Sequence, residues 1–286
     1  MNNGFNNDDF KEVIAKFNET MNGFYKNINE NIVESIKPLL ELSKIEIPNT
    51  IFLNNISDML KEFGRKISEG LKDTIESIED YKQLCLLLGY PPHEDISIPD
   101  IKGIVDLYNE LNGDMDKIKP IIDEFYISTF DVQAIREIFI AKWSDSDLLD
   151  KRIELIEESI SCFEQGLYFS AIPILFSQLE GMVADANNHC GQMGGKKLGN
   201  YISEIFNNEN KYSFDNELLK FYGNVLFVPF EHGKELESFL SRHAIMHGGD
   251  VEYGTQANYI KLILFFDSVY EGLIKNQEDN DSETEN

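Results

Sequence analysis

The chain has 286 residues, of which 42% are hydrophobic, and it carries a net charge of −26. This length suffices for one large domain or two modest domains with a substantial core. The acidity excludes a general nucleic-acid coating protein, because such proteins present a basic surface. It does not exclude an enzyme with one locally basic cleft, although RNA would then have to overcome long-range repulsion.

The sequence predicts a soluble, cytoplasmic protein that does not bind membranes. No segment pairs a basic start with an apolar run, and no stretch approaches the roughly 20 apolar residues of a membrane span. The three cysteines, Cys85, Cys162 and Cys190, are widely spaced. Their spacing fits neither a zinc site nor a disulfide framework, so we expect reduced thiols.

Two long amphipathic segments open the chain. Apolar residues recur every three or four positions from Phe10 to Ile36 and again from Ile51 to Ile78, which is typical of helices. Two such helices form a hairpin or a coiled-coil-like arm. We expect an arm over residues 10–80 that contributes to assembly, and its pattern fits an intramolecular bundle as well as dimer formation or target sensing.

Prolines and glycines mark the next border. Gly89, Pro91, Pro92 and Pro99 indicate a rigid connector. Short helical patterns follow as far as Trp143, for which we expect a core position rather than a role in stacking on bases. The predicted domains are a helical arm over 1–88, a helical connector region over 89–145, a helical bundle over 146–275 and an acidic, disordered tail over 276–286.

The C-terminal half predicts helices throughout, so the expected fold class is all-α. Asp145-Ser146-Asp147 offers an N-cap for the first helix of this half, and Thr255 offers one for the last. Apolar residues cover most of the circumference of that last helix, which predicts a central position or cover by a partner subunit. The predicted helices lie over about 148–165, 167–188, 198–206, 216–222, 236–247 and 255–273.

A glycine-rich loop over 189–200 is the most basic local segment of this acidic chain. It contains Lys196 and Lys197, which are candidate RNA contacts. It is not a Walker loop, because no Gly-Lys-Ser/Thr follows a strand. The loop fits a plain connector or a backbone cradle for phosphate.

One stretch, Ser241–Gly249, concentrates the groups that chemistry needs. It places Arg242, His243 and His247 within six positions. Gly248-Gly249 should end the helix, since glycine tolerates the left-handed conformation at a helix end. Residues five apart lie about 140° apart on an ideal helix, so Arg242 and His247 do not easily face one small target unless a second copy of the helix completes the site.

Three interpretations fit this stretch. The first is a polar helix end, with the arginine on a carboxylate and the histidines near free carbonyls. The second is a metal site, because His-x-x-x-His can bind zinc, although Ala244 stands where a zinc protease has glutamate and no third ligand is evident. The third is phosphate chemistry, in which the arginine binds phosphate and a histidine moves a proton.

The arrangement Arg242-His243-x-x-x-His247 resembles the R-x4-6-H motif of HEPN ribonucleases, the "higher eukaryotes and prokaryotes nucleotide-binding" superfamily. Arg152–Gly181 is similar to the first helix pair of bacterial HEPN-like proteins of unassigned or phage-defence function, and Asp250–Tyr270 is similar to the segment that follows their motif. The resemblance covers roughly the last 140 residues and leaves out the N-terminal part.

The resemblance implies a HEPN-like helical bundle that acts as a metal-independent endoribonuclease in phage defence or as a toxin. His247 would shuttle a proton, Arg242 would stabilise charge at phosphorus, and His243 would support them. Glu180 would lie near the motif as a partner of Arg242. The ribose 2′-OH would be the nucleophile, so no metal or cofactor is expected, and the site would form across a homodimer. The alternative is a non-catalytic HEPN-like module for dimerisation or sensing, which the acidity and the long arm also fit.

Overall fold

The computed structural model describes residue 72, residues 74–208, residue 210 and residues 213–284, with side chains as far as residue 278. Within this part of the chain every regular element is helical, which confirms the predicted all-α fold. Most of the predicted arm over 10–80, including its role in assembly, lies outside the described residues and stays a prediction.

The described residues form ten α-helices, α1 to α10 in chain order. Helix α4 continues into a π-helical turn, Phe139–Trp143, and α8 continues into a second one, Tyr222–Leu226. The helices are α1 (described over 74–88), α2 (Ile98–Glu110), α3 (Met115–Thr129), α4 (Val132–Ile138), α5 (Ile153–Glu164), α6 (Tyr168–Ala186), α7 (Gly195–Ile205), α8 (Asp215–Phe221), α9 (Arg242–Met246) and α10 (Gln256–Thr284).

The chain divides into two compact units. Of the described residues, those up to Leu84 and Asp95–Ile121 belong to the first unit, and Cys85–Glu94 and those from Ile122 onward belong to the second. The residues of each unit contact one another in space, which does not show that either unit folds independently. The predicted domains 1–88, 89–145 and 146–275 therefore stay predictions.

The described core of the first unit centres on α2. A capping box begins this helix: the Ser97 hydroxyl accepts from the Asp100 amide, and the Asp100 carboxylate accepts from the Ser97 amide. The box satisfies amides that a helix start leaves unpaired. The side chains of Ile101, Ile104 and Leu107 are buried.

The second unit is built around α10. Nearly every residue from Tyr259 to Tyr270 is buried, on all sides of the helix. Helix α6 contacts α5, α7, α9 and α10, so the motif helix and the last helix both pack on α6. The Tyr259 ring stacks on Phe163 with ring centroids 4.5 Å apart, which ties α10 to α5.

A buried carboxylate joins α10 to the segment before α5. Asp267, 1% exposed, accepts from Trp143 Nε1 at 2.9 Å, from Lys142 Nζ at 2.9 Å and pairs with His93 Nε2 at 3.1 Å. Burial raises the pKa of Asp267, but the bonds from His93 and Lys142 outweigh burial and hold the pKa below its ordinary value. Trp143 is fully buried in this network, so its predicted core position is confirmed.

The helix that carries the histidines is shorter than the sequence predicts. Instead of spanning about 236–247, α9 covers only Arg242–Met246. Two serine hydroxyls upstream bond to distant carbonyls, Ser238 to Val225 at 2.6 Å and Ser241 to Val228 at 2.9 Å. Such side-chain bonds hold the backbone in a non-helical path.

Two other boundaries differ from the prediction. Asp145-Ser146-Asp147 does not cap a helix. Turns continue to residue 152, in which the amides of Ser146 and Leu149 donate to the carbonyls of Trp143 and Ser146. Helix α5 then begins at Ile153 without a side-chain cap. The fully buried Leu149 anchors these turns. The acidic segment from 276, predicted to be disordered, is helical as far as Thr284, because adding residues to a helix already held by a core is much easier than starting one.

Replacing Gly272 with alanine tests the contact between α10 and α7. A methyl group there would lie 2.4 Å from Cγ2 of Ile205, and because isoleucine is branched at Cβ, the helices have to separate. We expect Gly272→Ala to lower the free energy of unfolding in urea by about 1–3 kcal/mol.

Gly223→Ala is the matched control, since nothing lies within 4 Å of its added methyl group. This variant should keep the wild-type stability or gain less than about 1 kcal/mol. Wild-type stability in Gly272→Ala would contradict the close approach of the two helices.

Candidate functional site

The backbone of α9 is fixed at both ends. Ser241 is the N-cap, and its hydroxyl accepts from the Ala244 amide at 3.3 Å. Gly248 ends the helix with a φ of 73°, a left-handed conformation that favours glycine. Ala244 and Ile245 are buried, so the helix turns Arg242, His243 and His247 toward its more accessible side.

Arg242 forms an ion pair with Glu180 of α6. Its Nε donates to Oε1 of Glu180 at 2.5 Å, and the two side chains are 24% and 20% exposed. The pairing of these residues, expected from the sequence, is present. Because a guanidinium has five N–H donors, the bond through Nε leaves Arg242 with donors for an anion.

The two histidines of α9 lie side by side. Their ring centroids are 6.4 Å apart and the ring planes differ by 2°. The edge of His243 also meets Phe227, with centroids 6.0 Å apart. Two parallel imidazoles therefore lie on α9, and the nearer of them, His243, also interacts with the charge of Arg242.

His243 is biased toward its neutral form. Burial, Arg242 and His247 lower its pKa below the ordinary value, and only Glu180 acts in the opposite direction. A neutral imidazole at physiological pH has one nitrogen that accepts a proton or a hydrogen bond.

The start of α7 adjoins this site. A Cβ atom added to Gly195 would lie 3.9 Å from Nε2 of His243, so the backbone of α7 begins next to this imidazole. The loop is shorter than the predicted range of 189–200, because α7 begins at Gly195. Lys196 and Lys197 are exposed in its first turn, and Nζ of Lys197 lies 4.2 Å from the centre of the Tyr201 ring.

A metal site at His243 and His247 gains no support from the surrounding residues. Among the side chains that the structure describes, no third histidine, cysteine or carboxylate ligand groups with these two imidazoles. Structural zinc requires four ligands and catalytic zinc usually three from the protein. The arrangement of the candidate residues is better suited to anion binding and proton transfer.

One residue of this neighbourhood, Tyr222, is not among the site residues that the sequence predicts. It lies at the start of the π-helical turn after α8, and its hydroxyl interacts electrostatically with both Glu180 and Arg242. No motif or spacing signals this position. Its relation to the site arises only when α6, α8 and α9 pack together.

None of the three comparisons with known proteins, against family models, curated proteins and solved structures, finds a match for this chain. The interpretation of the site therefore depends on its own geometry and chemistry.

None of the helices in the described residues combines the length and the apolar character that crossing a bilayer requires.

The lowered pKa of His243 predicts a pH dependence of stability. Between the folded pKa and the unfolded value of about 6.5, the unfolded chain binds more protons than the folded one. The free energy of unfolding should therefore fall as pH drops from about 6.5 through the folded pKa. Urea unfolding at several pH values should show that His243→Gln lacks this part of the decrease.

His232→Gln controls for the loss of a histidine outside α9 and should retain the wild-type decrease over this range. If His243→Gln and wild-type protein lose stability in parallel between pH 7 and pH 5, the environment assigned to His243 is wrong.

Proposed function

We propose that this protein is a metal-independent endoribonuclease of HEPN type. The observation that carries the proposal is the arrangement around α9, where Arg242 pairs with Glu180 beside the parallel His243 and His247. An arginine that binds phosphate and a histidine that moves a proton are the groups that RNA cleavage by its own 2′-OH requires. Resemblance of the motif to HEPN ribonucleases supports the same function.

The proposed reaction begins at the ribose. His247 removes the proton from the 2′-OH, the 2′ oxygen bonds to phosphorus, and the bond from phosphorus to the 5′ oxygen breaks. The proton passes to the leaving 5′ oxygen. The products are a 2′,3′-cyclic phosphate and a 5′-OH, so atoms and charge balance without a metal or another co-reactant.

Arg242 and His243 act on the same phosphate. The guanidinium stabilises the negative charge that builds up on the phosphoryl oxygens during attack. The neutral His243 imidazole supports this arrangement by accepting or donating a hydrogen bond without adding a second positive charge next to Arg242. Glu180 orients the guanidinium through its bond to Nε.

The charge of the chain limits which RNA can bind. A net charge of −26 repels RNA at long range. The exposed lysines at the start of α7, Lys196 and Lys197, follow the glycine that faces His243 and offer a local basic entrance. We propose that they contact the RNA backbone, so binding should weaken as salt increases.

The active form in this proposal is a homodimer. Arg242 and His247 are five residues apart, which corresponds to about 140° around an ideal helix. Arg242 is directed to α6, whereas His247 is exposed at the end of α9. Near this end, Val251 is 75% exposed and Met246 is 44% exposed, and a second copy that covers them would bring its own α9 close.

For the biological role, we propose cleavage of cellular or invader RNA in the cytoplasm, in phage defence or as a toxin.

A second proposal is a non-catalytic HEPN-like module for dimerisation or sensing. The specific observations in its favour are the strong acidity and the exposed apolar side chains near the end of α9. In that case the Arg242–Glu180 pair is a structural link between α9 and α6. RNA cleavage decides between the two proposals.

The cleavage test uses total RNA or a labelled RNA with an excess of EDTA. Arg242→Ala and His247→Ala should each lower the cleavage rate by about a hundredfold, the usual scale for a lost charge stabiliser or proton carrier. Both variants should remain folded, because a polar group at a helix end contributes only about 1 kcal/mol. Circular dichroism verifies the fold.

Matched controls come from the same chain. Arg136→Ala breaks another ion pair, Arg136–Glu164, at similar exposure, and His232→Ala removes a histidine outside α9; both should cleave at the wild-type rate. Light scattering on the same samples reports the mass, which the dimer requires to be twice 32.9 kDa. Full activity in His247→Ala, or activity lost in EDTA and restored by zinc or manganese, contradicts the proposed mechanism.

A further inference from the structure

Within the described part of the chain, the hydroxyl of Tyr222 is a buried donor that no other residue pairs with. Tyr222 is 9% exposed, and among the residues that the structure describes its Oη is the one buried side-chain nitrogen or oxygen that forms no hydrogen bond. Folded proteins pair nearly all such groups, and each exception calls for an explanation.

Other buried tyrosines of this chain are paired. Tyr270, 7% exposed, donates to the carbonyl of Lys142 at 2.8 Å, and the hydroxyl of Tyr259 lies 3.3 Å from that of Ser159. Tyr90 donates to Asp123 at 2.8 Å. The unpaired hydroxyl of Tyr222 is therefore a local property of its site and not a general feature of the packing.

The position of Tyr222 places its hydroxyl in the candidate site. The hydroxyl interacts electrostatically with both Glu180 and Arg242. The Tyr222 ring stacks on Phe227 with centroids 4.4 Å apart, and Phe227 in turn meets His243. Tyr222 is thus connected to the histidine through the ring of Phe227, and to the arginine–glutamate pair by charge.

Two glycines of α7 lie next to these groups. A Cβ atom on Gly199 would lie 3.7 Å from Oη of Tyr222, and one on Gly195 would lie 3.9 Å from Nε2 of His243. These glycines are four residues apart, so they share one face of α7. That face presents no side chain of its own beside either polar atom.

The hydroxyl is suited to donate and not to accept a proton. Burial, followed by the negative charge of Glu180, raises the pKa of Tyr222, and Arg242 opposes the shift. The phenol therefore stays protonated at physiological pH. A phosphodiester oxygen is a strong acceptor, and a hydrogen bond to a charged acceptor is shorter and stronger than a neutral one.

We propose that Tyr222 is an additional substrate-binding residue, whose hydroxyl donates a hydrogen bond to a non-bridging oxygen of the phosphodiester held by Arg242. This inference rests on the proposed ribonuclease function and adds to it a residue outside the Arg242–His247 motif. It also gives the unpaired hydroxyl its acceptor, since Glu180 is engaged by Arg242 in the free protein.

The test uses Tyr222→Phe, which removes only the oxygen. An unpaired hydroxyl adds nothing to the fold, so the melting temperature of the variant should equal or exceed that of wild type, as expected when a group serves function and not stability. The same variant should cleave RNA about tenfold more slowly at limiting substrate. Its affinity for an all-2′-deoxy oligonucleotide of the same sequence, which lacks the nucleophile, should fall by the same factor in fluorescence anisotropy.

Tyr270→Phe is the matched control, because the residue is as buried as Tyr222 but its hydroxyl is paired with a carbonyl. It should lower the melting temperature and leave cleavage and oligonucleotide binding unchanged. A melting temperature of Tyr222→Phe reduced as much as that of Tyr270→Phe would assign the hydroxyl a structural partner and overturn the inference.

The remaining outcomes separate the inference from the function on which it rests. Wild-type cleavage and affinity in Tyr222→Phe overturn the role of Tyr222 and leave the ribonuclease proposal standing. Wild-type protein that neither cleaves RNA nor binds the oligonucleotide overturns the ribonuclease proposal, and the role of Tyr222 with it.

Discussion

The burial of α10 on all sides is the constraint on which the second unit depends. A helix whose apolar residues cover its whole circumference is stable in water only when other helices surround it. Here α6 and α7 contact it, and the stacked rings of Tyr259 and Phe163 tie it to α5. The carboxylate of Asp267, which is buried within this stretch, is paired with His93, Lys142 and Trp143.

The candidate site is a consequence of that packing. Only residues 247–255 separate α9 from α10, so the burial of α10 limits where Arg242 and the histidines can lie. Asn258 strengthens the link, since its side-chain amide donates to the carbonyls of Phe239 and Tyr253 on either side of α9. Arg242 then meets Glu180 because α9 packs on α6. In a chain with a charge of −26, this arrangement places one guanidinium and two imidazoles on a single short helix.

The sequence predicts the parts of this account that depend on local patterns. The apolar residues around α10 predict its central position, the left-handed Gly248 follows from the Gly248-Gly249 pair, and the resemblance to HEPN proteins anticipates the pairing of Glu180 with Arg242. These features depend on residues near in sequence or on a motif, so one sequence contains enough information to find them.

Features that depend on distant residues could not be predicted in the same way. The apolar spacing before Ser241 indicates a long helix, but Ser238 and Ser241 bond to carbonyls 13 residues earlier in the chain and break it. The unpaired hydroxyl of Tyr222 is even less predictable from local sequence. This hydroxyl is unusual only because no acceptor from α6, α7 or α9 reaches it, which requires the packed structure.

The central claim is that the ribose 2′-OH is the nucleophile and that no metal takes part. The most direct measurement incubates the protein, with an excess of EDTA, with two labelled single-stranded oligonucleotides of identical sequence, one RNA and one DNA. The account predicts that only the RNA is cut and that its new 3′ ends carry a 2′,3′-cyclic phosphate. Cleavage of both strands, cleavage only after addition of a divalent metal, or new ends that carry a 5′-phosphate would contradict it.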